Sequence, residues 1–95
     1  MPTGRALNYK RYTWEELRVG VILEPPQEAH RAYIAAECGT LRWAYSSDEK
    51  IPPRPDNGMP LEPGYHEEFD TDLQMLQLWA GSQDAIAHVY YFRAA

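Results

Sequence analysis

The sequence predicts an α+β domain: a short N-terminal helix, an antiparallel sheet of about four strands, and one longer helix packed on that sheet. Three observations carry the prediction. "TWEE" at residues 13–16 is a capping box with Gly20 shortly after it. "RAYIAAECGTLRWAY" at 31–45 is two strand-like runs around Gly39-Thr40. Tyr65, Phe69, Leu73, Leu76 and Ala80 recur at helical spacing ahead of Gly81.

Ninety-five residues are the size of one domain, able to bury roughly two thirds of its unfolded surface. Residues 1–12 carry no periodic apolar face and are expected to be a flexible arm, leaving 13–95 as the single α+β domain. From the Thr13 cap a helix should run to about Val19 and stop at Gly20. "VILE", 21–24, then reads as a strand ended by Pro25-Pro26.

In the next unit, glycine at the first central position is the signature of a type II′ hairpin turn. That register sets Cys38 opposite Leu41, Glu37 opposite Arg42, Ala36 opposite Trp43 and Ile34 opposite Tyr45. The apolar face would carry Ile34, Ala36, Cys38, Leu41, Trp43 and Tyr45, with Tyr33 and Arg31 on the other. Residues 46–63 form a long loop stiffened by Pro52, Pro53, Pro55, Pro60 and Pro63, and loops of that length are usually functional or disordered.

Over 65–80 two patterns compete. The helical spacing is supported by Leu, Gln, Met and Ala; "LQMLQLW" also fits a strand with Leu73, Met75 and Trp79 on one side and Leu76 and Leu78 on the other. The helix is the preferred reading. "AIAHVYYFR" closes the chain as a strand with apolar or aromatic residues on both faces, which places it inside the sheet.

A net charge of -5 and a pI near 5.0 argue against binding the nucleic-acid backbone, which needs clustered cations. A small anion needs only two or three, and seven of the nine basic residues are Arg. The single Cys38 permits no internal disulfide and fits a reducing compartment. No apolar stretch follows the basic start and none spans a membrane, so a cytoplasmic location is expected.

Catalysis finds little support. His30, His66 and His88 fall in three different elements, "HEEFD" lacks the second histidine of a zinc motif, and neither a phosphate loop nor a nucleophile elbow is present. Neither metal nor cofactor is expected. Cys38 should point into the apolar face and stay inert, and His88 should be a hydrogen-bonded core residue. The seven Tyr and three Trp suit contact surfaces instead. Arg42 and Arg54 near Trp43 and Tyr45 make a stacking and anion-binding device, and the polar corner at Gln83 and Asp84 is a further candidate contact.

"WAGSQDAIAHVYY", residues 79–91, resembles the C-terminal motif of the anti-Thoeris nucleotide-sponge family of small phage proteins, through Trp79, Ser82, Gln83, Asp84 and Ala87, with Tyr90 where the family closes on Trp. "TWEELRVG" sits where that family has its first helix. The chain is one residue shorter between Gln83 and Asp84, has Val89 in place of an acid, and carries the proline loop as an insertion. The resemblance implies an oligomeric, non-enzymatic protein that holds a cyclic-ADP-ribose-type signal between protomers, and adds Trp79 and Ser82 to the candidate contacts.

The expected function is therefore sequestration, without turnover, of a small anionic or nucleotide-like signalling ligand, by a homo-oligomer. Its rival is a protein-protein inhibitor of the counter-defence kind, docking on a larger host enzyme through the proline loop and exposed aromatics. In that reading the loop between Lys50 and Glu62 is separable and contributes little to the melting temperature.

Overall fold

Strand formation dominates the computed structural model, which describes residues 6–46 and 50–93. The elements among them are β1 (Ala6–Tyr12), α1 (Trp14–Leu17), β2 (Val21–Ile22), β3 (Arg31–Glu37), β4 (Leu41–Tyr45), β5 (Met59–Leu61), β6 (His66–Phe69), a 3-10 turn at Leu73–Met75, β7 (Leu76–Ala80) and β8 (Ile86–Phe92). They make two antiparallel four-stranded sheets, the first in the order β1-β8-β3-β6 and the second in the order β2-β7-β4-β5.

The two orders correspond position by position. β1 and β2, β8 and β7, β3 and β4, and β6 and β5 are each consecutive in the chain, so the molecule is one antiparallel array of four bent units folded over at a line of corners. Ala32, Ile34 and Ala36 of β3, Ala87, Val89 and Tyr91 of β8, and Leu76 and Leu78 of β7 fill the space between the layers. Strict alternation along β3 and β8 follows from this: their inner residues are buried, and Tyr33, His88 and Tyr90 lie on the other face.

Three corners are stitched together. Gly81 N donates to Thr40 O at 2.8 Å, Thr40 N donates to Ser82 Oγ at 2.9 Å, and Thr40 Oγ1 donates to Glu62 Oε2 at 3.0 Å. A Cβ on Gly39 would fall 2.6 Å from Ser82 Oγ and 3.0 Å from Gln83 O, so glycine is there for the close approach of the corners.

The α+β expectation is overturned: among the described residues no long helix forms, and they make a two-layer β fold with one short α-helix. The preferred helix over 65–80 is instead β6, the 3-10 turn and β7. Every residue of β7 is buried, because Leu76 and Leu78 face the core while Gln77 and Trp79 lie under the proline loop. A strand covered on both faces shows no alternation, and its apolar run passes for a helix face.

The hairpin over 31–45 is likewise corrected. β3 pairs with β8 and β6, and β4 with β7 and β5, so the strands flanking Gly39 belong to different sheets. The positive φ is at Cys38 (66°), which is exposed and not in an apolar face. Glu37 pairs with His88 where Arg42 was expected, and Ala36 lies opposite Ala87 where Trp43 was expected. Residues 6–12, read as part of an arm, form an edge strand on β8. The capping box is present, with Thr13 N donating to Glu16 Oε1 at 3.1 Å, and Gly20 has φ +85°. β8 lies inside the first sheet as its pattern predicts.

Candidate functional site

The side chains that point away from the core on the first sheet form a continuous aromatic surface. Cross-strand register places Tyr9 of β1 beside Tyr90 of β8, and Tyr90 beside Tyr33 of β3. The Tyr9 and Tyr90 rings lie 4.7 Å apart, Tyr33 stacks on His66 of β6 at 4.6 Å, and Phe92 lies 6.4 Å from Tyr90. Tyr9 and Tyr90 are 41% and 40% exposed, so this is an open face.

A hydrogen-bonded chain runs across the same face. Tyr9 Oη is 2.6 Å from His88 Nδ1, and His88 Nε2 is 2.8 Å from Glu37 Oε1. In the neutral imidazole, the proton sits on Nε2, which donates to the carboxylate, and Nδ1 accepts from the tyrosine hydroxyl. Three neighbouring strands are thus tied together by side chains. His88 is therefore part of this outer surface, not of the core.

The second sheet has its outer face closed. Gln77, fully buried, accepts from Ile51 N at 2.9 Å and donates to Ile51 O at 2.7 Å; Trp79 Nε1 donates to Arg54 O at 2.8 Å. Arg42 Nε donates to Pro55 O at 2.9 Å, and another guanidinium nitrogen donates to Gly58 O at 3.1 Å. A Cβ on Gly58, where φ is +79°, would lie 2.5 Å from the Trp79 ring. The proline loop is a lid pinned by three side chains.

The candidate contacts read from the sequence divide accordingly. Arg42 and Trp79 sit side by side in register beneath the loop that carries Arg54, and their polar groups hold that loop. Trp43 is half-buried and packs edge-on against Phe69 at 4.7 Å, with Tyr45 6.0 Å from it on the core side of β4. Partial burial, then the Asp70 and Asp72 carboxylates, raise the Tyr45 phenol above its ordinary pKa. Ser82 caps the Thr40 amide, and Asp84 has φ 65° in the turn.

Gln83 and Ser82 also line a shallow cleft of about 300 Å³ with Trp14, Arg18, Pro53, Pro55 and Ala80. The one cation among its described lining residues, Arg18, is paired with Glu15 at 3.2 Å. Trp43 and Tyr45 do not reach this cleft's lining. No group of His, Cys, Asp and Glu among the described residues is arranged to hold a metal ion, and no described helix is long and apolar enough to cross a membrane.

Sequence reasoning missed Tyr9, His66, His88, Tyr90 and Phe92 as a surface. The period-two alternation of β8 held part of the signal, since Tyr90, Phe92 and His88 share one side of it; Tyr9 was hidden in the presumed arm. No protein-family model, no curated protein and no solved structure matches the chain.

Proposed function

We propose that the chain is a non-enzymatic binding protein that captures a protein partner on the outer face of its first sheet. The contiguous rings of Tyr9 and Tyr90, both exposed, and of half-buried Tyr33 between them and β6 carry this reading. Tyrosine on a rigid strand gives a large contact area with little entropy lost on binding, and its hydroxyl keeps the unbound surface soluble. Glu37 and Glu68 offset Arg11 on the same face, and the net charge of -5 disfavours a nucleic-acid strand as occupant. The proline loop enters this reading only as scaffold, because Gln77, Trp79 and Arg42 hold it down.

The test is affinity capture with three baits: the native chain, Tyr33→Ser/Tyr90→Ser, and Pro53→Ser/Pro55→Ser. The face variant is expected to lose the partner and the loop variant to keep it. The opposite pattern would contradict the proposal.

A second reading draws on the cleft between α1, the proline loop and the Ser82-Gln83 corner. There a small nucleotide-like ligand would stack on Trp14 and meet Arg18 and Gln83, in keeping with the nucleotide-sponge resemblance of residues 79–91. Calorimetry against a nucleotide panel separates the two: saturable heat abolished by Gln83→Ala supports the cleft, and silence removes it.

A further inference from the structure

We propose that copies of this chain associate head to tail, the β1 edge of one protomer's first sheet pairing with the β6 edge of the next. β1 and β6 are the two edges of that sheet, and among the described residues each leaves one side without a strand neighbour. An unpaired edge is a template for another strand unless something blocks it.

Direction permits the unlike pairing, and charge selects it. The four bent units alternate in direction across the array, so a second copy placed by simple displacement sets its β6 antiparallel to β1 of the first. β1 carries exposed Lys10 and Arg11; β6 carries exposed Glu67 and Glu68. Arg11 lies opposite His88 and Glu68 opposite Tyr33, which puts both on the outer face. Lys10 lies opposite Val89 and Glu67 opposite Ile34, which puts both on the core side.

Opposite charges therefore meet on each face of the joined sheet. Pairing β1 with a second β1, or β6 with a second β6, would set like charges against each other on both faces, a destabilising arrangement for cross-strand neighbours. The row Tyr9, Tyr90, Tyr33 would also repeat across the junction. A head-to-tail contact of this kind closes into a ring or continues as a filament, depending on the rotation per subunit. The inference rests on the sheet edges alone and stands apart from what the aromatic face binds.

Light scattering coupled to size exclusion tests it on three proteins: the native chain, Lys10→Glu/Arg11→Glu, and Glu67→Lys/Glu68→Lys. The native chain is expected to exceed the protomer mass of 11.0 kDa at high concentration and low salt, and to dissociate on dilution or with salt. Each double variant should associate at least about tenfold more weakly, and an equimolar mixture of the two should recover the assembly, since each then offers the other a complementary edge. Circular dichroism checks that both keep the native fold; if either does not, Arg11→Gln and Glu68→Gln make the same comparison. A native chain that stays at 11.0 kDa under all conditions, variants that keep the native mass, or a mixture that remains monomeric would overturn the proposal.

Discussion

At the scale of single residues, glycine and glutamine positions explain more than the cations do. Gly39 is not in the left-handed region, yet a Cβ there would meet Ser82 Oγ at 2.6 Å. Gly39→Ala is expected to cost about 1–3 kcal/mol in urea unfolding. Removing the clashing hydroxyl with Ser82→Ala should offset part of that loss, so the double variant is less destabilised than the sum of the singles. Gln77 places both ends of its amide on the Ile51 main chain. Gln77→Met keeps the volume and loses both bonds, with an expected loss of about 2 kcal/mol and faster hydrogen exchange at the Ile51 amide. Native exchange at Ile51 with unchanged stability would show that the loop holds itself. Arg42 looked in the sequence like an anion-binding group; its donors are directed to Pro55 O and Gly58 O, and a side chain's partners across 13 and 16 residues leave no mark on its neighbours in the chain.

At the scale of elements, what could be read was whatever depends on local chemistry or on one-sided burial. The Thr13–Glu16 cap, the stop at Gly20, the alternation of β3 and the interior place of β8 belong to that class. β7 does not, because its outer face is buried by a loop rather than by another strand, and loops write no periodicity into the strand they cover. The partition of β3 and β4 between two sheets was also illegible. A bend at Gly39 serves a hairpin and a sheet-crossing corner equally well, and the choice is made by Gly81 and Ser82, more than forty positions away by the 42-residue separation of the Thr40–Ser82 bond. The expectation that the loop is separable changes with this. Replacing residues 51–57 by a short flexible linker should lower the melting temperature and shift tryptophan emission to the red as Trp79 meets water, whereas unchanged emission would mean Trp79 is covered by other means.

At the scale of the whole molecule, two layers leave two outer faces, one closed by a pinned loop and one open and aromatic. The buried tyrosines between the layers make stability pH-dependent in alkali. Burial raises the Tyr91 phenol well above its ordinary value of 10.0, joined by the charge of Tyr12 and opposed by a backbone hydrogen bond at Glu24; burial, then Glu24 and Glu16, raise Tyr12. The folded chain thus holds these protons more tightly than the unfolded one. Their contribution is complete below pH 10.0 and is lost as pH rises above it. Tyr91→Phe should flatten that alkaline decline in pH-dependent unfolding, and an unaltered slope would contradict the burial argument. The central claim is that the open face is the working surface. A photo-cross-linking residue at position 90, compared in cells with one at position 53, tests it most directly: an adduct with one partner protein from position 90 and none from 53 is the expected result, and an adduct from 53 alone would contradict it.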